Sequence, residues 1–140
     1  ETPQLSHLLI TEDFRLILTD YREQEIKMSS LPKALYFLFP RHPEGLMFKG
    51  LVDYQNELME LYHLVSNRES LDKMRGSICD LVDCTSNSVN EKCSRIRSAF
   101  IRHFDESLMK PYFVTKGADR LKRVTFDRDL LIDATGLIKK

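Results

Sequence analysis

The segment NEKCSRIRSAFIRHF, residues 90–104, decides the fold because it combines an apolar helical repeat with a run of basic side chains. Starting at Val89, just before this segment, apolar residues recur at intervals of four and three, through Cys93, Ile96, Phe100 and Phe104. This spacing predicts an amphipathic helix over about residues 88–104, with one face buried in the core. Cys93 thus occupies a position at which a core residue is expected.

A second face of the predicted helix is basic. The residues that repeat on it, at intervals of three, four and three, are Lys92, Arg95, Ala99 and Arg102. Either Asn87 or Ser88 can cap the N-terminus of this helix. Arg97 lies closer to the apolar stripe, and we expect it to pair with an Asp or Glu on the body of the protein.

The charge of the chain is distributed unevenly around this segment. Residues 87–123 contain nine Lys/Arg and four Asp/Glu, a local charge of +5, whereas residues 1–86 carry −5. The 140-residue chain has a formal net charge of zero. A domain that binds DNA by itself often has a pI above about 9. Any attraction for a polyanion must therefore come from the local basic surplus.

The composition indicates one globular domain, and the sequence motifs do not indicate catalytic or metal chemistry. The chain is 42% hydrophobic and 30% charged, which is typical of folded proteins. The spacing of the three cysteines matches no zinc pattern, and their odd number argues against a disulfide framework. We expect reduced core cysteines and no cofactor. Neither a Gly-rich phosphate loop nor a His-Glu-x-x-His motif occurs, so we do not expect an enzyme.

Targeting signals, apolar runs and the first residue bear on the cellular location and processing of the protein. No signal-peptide pattern is present, and no apolar run approaches the roughly 18 residues that span a bilayer, so we expect a cytoplasmic protein that does not enter a membrane. The first residue is Glu1 rather than Met. We expect the chain to be processed or cut from a longer protein, which leaves room for a preceding domain.

Strand and helix patterns precede the central segment. Three short strands separated by polar turns predict an antiparallel meander within residues 1–30, in HLLIT (7–11), FRLILTDY (14–21) and EIKMSS (25–30). Ser30 is a candidate cap for a first helix, which Pro40 is expected to stop. Further helices are predicted from about Lys49 to Val65 and from about Ser70 to Cys84.

A basic β-hairpin follows the central helix. Its predicted strands are PYFVTKG (111–117) and RLKRVTFD (120–127), joined by a turn at Gly117. The turn is bounded by four cations, Lys116, Arg120, Lys122 and Arg123.

This order of elements resembles the winged-helix DNA-binding domain of the OmpR/PhoB-type response-regulator effectors. The segments that carry the resemblance are LPKALYFLFPRHPEGLMFKGL (31–51), NSVNEKCSRIRSAF (87–100) and PYFVTKGADRLKRVTFD (111–127). They are similar to that family's first helix and turn, its recognition helix with a Ser-Arg-Leu-Arg-like core, and its wing. The sequence departs from the family in having a helical pattern near 70–84 and no Gly-x-Gly-Tyr in the wing turn.

The resemblance implies an α+β fold, a winged helix-turn-helix with an N-terminal antiparallel β meander, a helical core over 31–104 and a C-terminal hairpin wing over 111–127. The whole chain, 1–140, would form this single domain. The implied partner is double-stranded DNA, read by the helix at 88–104 in a transcriptional regulatory or accessory module. The implied DNA-binding residues are Ser88, Glu91, Lys92, Arg95, Arg102, Lys116, Arg120 and Lys122.

The alternative is a winged-helix domain that binds a protein partner, or a second copy of itself, and not DNA. The recruiting surface would be either the aromatic N-terminal sheet or the acidic helical segment 50–84. The acidic residues of that segment are Glu57, Glu60, Glu69, Asp72, Asp80 and Asp83. Solvated charge on an exposed surface also accounts for both the acidic and the basic clusters, so sequence leaves these alternatives open.

The helical phase of the central segment generates a first prediction. Ile96→Asp should unfold the domain, because it places a carboxylate in the core. Circular dichroism and thermal denaturation measure this. A soluble Ile96→Asp protein with native signal would show that the phase assigned to this helix is wrong.

Overall fold

The computed structural model describes residues 4–66, 70–83 and 85–138, and within them the chain has a mixed α+β fold. The strands are β1 Leu8–Ile10, β2 Leu16–Leu18, β3 Gln24–Ile26, β4 Thr115–Lys116, β5 Lys122–Arg123 and β6 Leu131–Asp133. The helices are α1 Ser30–Arg41, α2 Gln55–Val65, α3 Leu71–Val82, α4 Ser88–Ile101 and α5 Glu106–Met109. Two 3-10 helices span Phe48–Tyr54 and Arg128–Leu130.

The larger sheet has the strand order β3-β2-β1-β6. The first three strands pair antiparallel, as the alternating sequence predicts, and Leu16 and Leu18 face the core. The fourth strand, β6, pairs parallel to β1 with Leu131 opposite Leu8. The sequence pattern did not predict β6, which pairs with a strand more than a hundred positions earlier in the chain.

Helix α1 differs from the prediction at its C-terminal end. It runs through Pro40 and ends at Arg41. Pro40 lies in the last turn, where its missing N–H removes a single backbone hydrogen bond, so the helix is not broken earlier. At the other end, Ser29 rather than Ser30 is the N-cap residue, and its side chain makes no capping bond. Pro32 lies in the first turn, as expected.

The middle helices agree with the prediction in position and differ in detail. The predicted second helix begins as the 3-10 turn Phe48–Tyr54 before α2 starts at Gln55. Helix α3 begins after Ser70, whose Oγ accepts a hydrogen bond of 3.3 Å from the N–H of Lys73. This is the capping geometry that stabilises a helix N-terminus. Helix α1 packs against α2 and α4, and α3 packs against α2 and α4.

Helix α4 follows the predicted apolar stripe and is shorter than predicted. Ile96 and Phe100 are fully buried, and Val89 is nearly so. The helix ends at Ile101, so Phe104 lies beyond it, half-buried against the core. Asn87 is the N-cap residue, without a side-chain capping bond.

Two buried tyrosines connect α1, the segment before the hairpin and the sheet. The hydroxyl of Tyr36 donates to the carbonyl of Tyr112 at 2.7 Å, and the hydroxyl of Tyr112 donates to the carbonyl of Ser6 at 2.6 Å. The ring of Phe100 lies 5.5 Å from that of Tyr36 and stacks on that of Tyr112 at 6.0 Å. Helix α4 is therefore fixed to the same buried cluster.

The hairpin is smaller than predicted. Its strands β4 and β5 have two residues each, with Thr115 opposite Arg123 and Lys116 opposite Lys122. Backbone bonds between Leu46 and Lys122, 2.8 Å and 2.7 Å long, attach it to the turn after α1. No helix within the described ranges is long and apolar enough to cross a membrane.

The tyrosine cluster generates a second prediction. Burial raises the pKa of Tyr36 and of Tyr112 above the unfolded value near 10. Because each pKa is higher in the folded state than in the unfolded state, the protonated tyrosines contribute stability that is fully present below about pH 10. This contribution is lost as the pH rises through the pKa values of the folded state. The double variant Tyr36→Phe/Tyr112→Phe should lose about 1–3 kcal/mol per unpaired carbonyl at neutral pH, with a weaker decline above pH 10 than the parent.

Urea denaturation across this pH range measures both effects. Tyr54→Phe is the control, because the half-buried ring of Tyr54 packs on His42 outside the cluster. A double variant as stable as the parent would contradict the structural role of the two hydroxyls.

Candidate nucleic-acid interface

The exposed face of α4 is centred on short polar side chains with arginines beside them. The residues exposed on this helix include Asn90, Glu91, Ser94, Arg95, Arg97 and Ser98. Ala99, which the sequence placed on the basic face, is 7% exposed and lies in the core. The basic face predicted from the sequence therefore lies at the border of the exposed surface, and Ser94 lies nearer the centre of that surface. We call the six exposed residues the α4 face.

The predicted site residues on α4 fall in different environments. Ser88 is 6% exposed, so its side chain has little accessible surface, at odds with the groove-facing role implied by the resemblance. The side chains of Glu91 and Arg95 are more than half exposed, and they approach to 3.8 Å. Such an exposed pair contributes little to stability, so Arg95 can turn to another anion. Lys92 is half-buried, and Arg102 is exposed at the end of the helix.

Arg97 pairs with an acid, as the sequence predicts. Its guanidinium forms an ion pair with Glu106 on α5 and lies 5.9 Å from the centre of the Phe113 ring. These contacts connect α4 to the segment that leads into the hairpin. Both side chains of this pair are about half exposed, so Arg97 lies on the α4 face with the Glu106 carboxylate beside it.

Three predicted site residues lie in the hairpin. Lys116 and Arg120 are exposed, and Arg120 has a positive φ of 69° in the turn. The ammonium of Lys122 lies 4.9 Å from the centre of the Phe48 ring, a cation–π contact that holds its side chain to the body. Lys116 and Arg120 are therefore freer than Lys122 to meet a ligand.

The structure gives Arg123, the fourth cation of the turn, a structural role. Its Nη2 donates to the carbonyl of Glu44 at 3.0 Å and to the carboxylate of Asp119. That hydrogen bond to Asp119 lowers the pKa of the carboxyl. A Cβ at Gly45, where φ is +100°, would lie 2.9 Å from that of Leu121 and 3.0 Å from the Nε of Arg123. The hairpin thus packs tightly on the turn after α1.

The acidic surface of the alternative hypothesis is smaller than the sequence implied. Glu57 is partly buried and binds the end of α1, with Oε2 3.1 Å from the Nε of Arg41 and Oε1 3.0 Å from the Nε2 of His42. Its carboxylate is thus engaged within the fold. Four other acids of that set are exposed, namely Glu60, Asp72, Asp80 and Asp83. Glu69 lies outside the described ranges.

The cysteines do not all lie in the core. Cys79 is exposed, contrary to expectation, and its sulfur accepts from the Nε2 of Gln55 at 3.2 Å. Burial raises the pKa of Cys93 to about 12, opposed by the nearby Lys122 ammonium. Cys84 lies outside the described residues. Among the residues that the structure describes, no cluster of three or more His, Cys, Asp or Glu could hold a metal ion.

Comparisons with protein-family models, with curated proteins and with solved structures each found no match to this chain.

The contrast between the cysteines generates a third prediction. At mildly alkaline pH, iodoacetamide should alkylate Cys79 much faster than Cys93, because burial keeps the Cys93 thiol protonated and the thiolate is the reactive form. Peptide mapping by mass spectrometry after timed quenching measures each rate. The two sites should react at similar rates in denaturant. Faster alkylation of Cys93 in the native protein would contradict its placement against the core.

Proposed function

We propose that this chain binds double-stranded DNA through the α4 face, with the β4–β5 hairpin beside it as a wing, in a winged helix-turn-helix arrangement. Its role would be that of a transcriptional regulatory or accessory module without catalysis. The observation that carries the proposal is the α4 face itself, an exposed helical surface with short polar residues flanked by arginines.

This surface suits the major groove of DNA, which admits an α-helix. Asn90, Ser94 and Ser98 can exchange hydrogen bonds with base edges, and an Asn side chain can pair with the N6 and N7 atoms of adenine. Arg95 and Arg97 flank them and can bind guanine or neutralise phosphates. The buried stripe of Ile96 and Phe100 supports the helix from behind.

The residues implied by the resemblance then divide into stronger and weaker candidates. Arg95 is the best candidate for a direct contact, because it is exposed and only loosely paired. Lys92 and Arg102 lie at the border of the α4 face, where phosphates would pass. Glu91 can accept a hydrogen bond from cytosine. At other positions of the helix along the groove, its carboxylate would repel the phosphates. Ser88 is too buried to contribute.

The hairpin would extend the same surface as a wing. Arg97 of α4 lies 5.9 Å from the centre of the Phe113 ring, in the segment that leads into β4. Lys116 and Arg120 project from the tip of the hairpin as exposed cations. Contacts from these two residues to the DNA backbone would fix the orientation of the protein without reading sequence.

The charge distribution is consistent with a local interface. The surplus of +5 in residues 87–123 covers α4 and the hairpin, while the overall charge is zero. Binding would therefore depend on these two elements together, and would be weaker than that of a uniformly basic domain.

The proposal generates a fourth prediction. Lys92→Ala/Arg95→Ala should weaken binding to duplex DNA and should make the slope of log affinity against log salt less steep by about 2, one for each phosphate contact. Thermal stability should change little, because both side chains lie off the apolar stripe. Fluorescence polarisation at several salt concentrations measures the effect.

The matched control is Lys73→Ala/Arg75→Ala, which removes the same charge from exposed positions on α3. An equal loss in this control would show that net charge, and not the α4 face, governs binding. Unchanged binding by Lys92→Ala/Arg95→Ala would contradict the assignment, and a parent that binds no duplex would favour the protein-interaction alternative.

A further inference from the structure

A basic depression of about 210 Å³ opens between the end of β3 and the second half of α4. Its polar lining comes from Lys27, Ser29, Arg95, Ser98 and Arg102. The buried Ala99 also lines it. Two parts of the chain about 70 residues apart in sequence thus bring three cations and two hydroxyls to one place.

The positive charge of this depression is not neutralised by its lining. Within the described part of the chain, no Asp or Glu lines it, and the first turn of α1 contains no acid. Glu25, on β3 two residues before Lys27, approaches Arg15 to 3.7 Å. Glu91 approaches Arg95 only to 3.8 Å, with both side chains more than half exposed. Like charges held together with only this one weak counter-charge favour an anion between them.

The donor set suits a phosphate group. Ammonium and guanidinium groups form charge-assisted hydrogen bonds with phosphate oxygens, and serine hydroxyls add neutral donors. Arg95 and Ser98 belong to both the depression and the α4 face, so an anion held here would lie at the edge of that face. A phosphate of a duplex seated on the α4 face would occupy this position.

We infer that the depression formed by Lys27, Ser29, Arg95, Ser98 and Arg102 binds a backbone phosphate of duplex DNA and sets the register of α4 in the groove. The inference rests on the proposed function and extends it to the segment between β3 and α1, which lies outside the helix and the wing. Lys27 is the decisive residue, because it lies off α4 and is exposed.

Lys27→Ala in the full chain tests this inference. Its affinity for a random-sequence duplex should fall several-fold at low salt, and the slope of log affinity against log salt should become less steep by about 1. Lys27→Arg should retain the slope of the parent, because it retains the charge. The loss should be similar for duplexes of different sequence, because a phosphate contact does not read bases.

Lys73→Ala, a single exposed lysine on α3, is the control and should leave the slope unchanged. An equal change in Lys73→Ala, or a Lys27→Ala slope equal to that of the parent, would overturn the inference. Thermal stabilisation by inorganic phosphate that requires Lys27, without an effect of Lys27→Ala on duplex binding, would also overturn it.

Failure of the inference is distinguishable from failure of the proposed function. If Lys92→Ala/Arg95→Ala weakens binding and Lys27→Ala does not, the inference alone is wrong. If the parent binds no duplex, both are wrong.

Discussion

The packing of α4 against α1 and the segment before the hairpin depends on a buried cluster built around the hydrogen bonds of Tyr36 and Tyr112. Tyr112 is both an acceptor, through its carbonyl, and a donor, through its hydroxyl, and it thereby joins α1 to Ser6 beside the sheet. Phe100 of α4 packs against both rings. Because an unpaired buried carbonyl is costly, this cluster resists rearrangement. It holds α4 in one rotation about its axis and thus selects which residues are exposed.

The basic residues of the C-terminal half have different physical roles. Arg123 is used within the fold, since its guanidinium meets a backbone carbonyl and a carboxylate. Arg97 and Lys122 are partly used, through Glu106 and Phe48 respectively. Others are exposed, and Arg95 has only one weak partner. The number of positively charged residues therefore overstates the size of the binding surface. Contacts within the fold leave fewer of these side chains available to a ligand.

Local periodicity predicted the features that depend on near neighbours. Val89, Ile96 and Phe100 fixed the buried side of α4 because apolar spacing follows the helical repeat. Ala99 was misplaced because a small apolar side chain is compatible with either environment. Leu16 and Leu18 likewise showed which side of β2 is buried, through alternation.

Local sequence patterns did not predict the features that depend on distant parts of the chain. The pairing of β6 with β1 joins residues more than a hundred positions apart. The contact from Arg123 to Glu44 spans 79 positions. Nothing near Lys27 in sequence signals that it lines the same depression as Arg102. The exposed residues Asn90 and Ser94 could have been found by centring the exposed face opposite the stripe, rather than by following the cations.

The central claim is that this neutral chain binds duplex DNA through a local basic surface. Titration of the 140-residue protein against a labelled random-sequence duplex, from low to physiological salt, tests it most directly. Each neutralised phosphate should contribute about −0.9 to the slope of log affinity against log salt. We therefore expect measurable binding at low salt and a steep decline corresponding to several phosphates. Absence of binding at low salt, or an affinity that does not change with salt, would contradict the account.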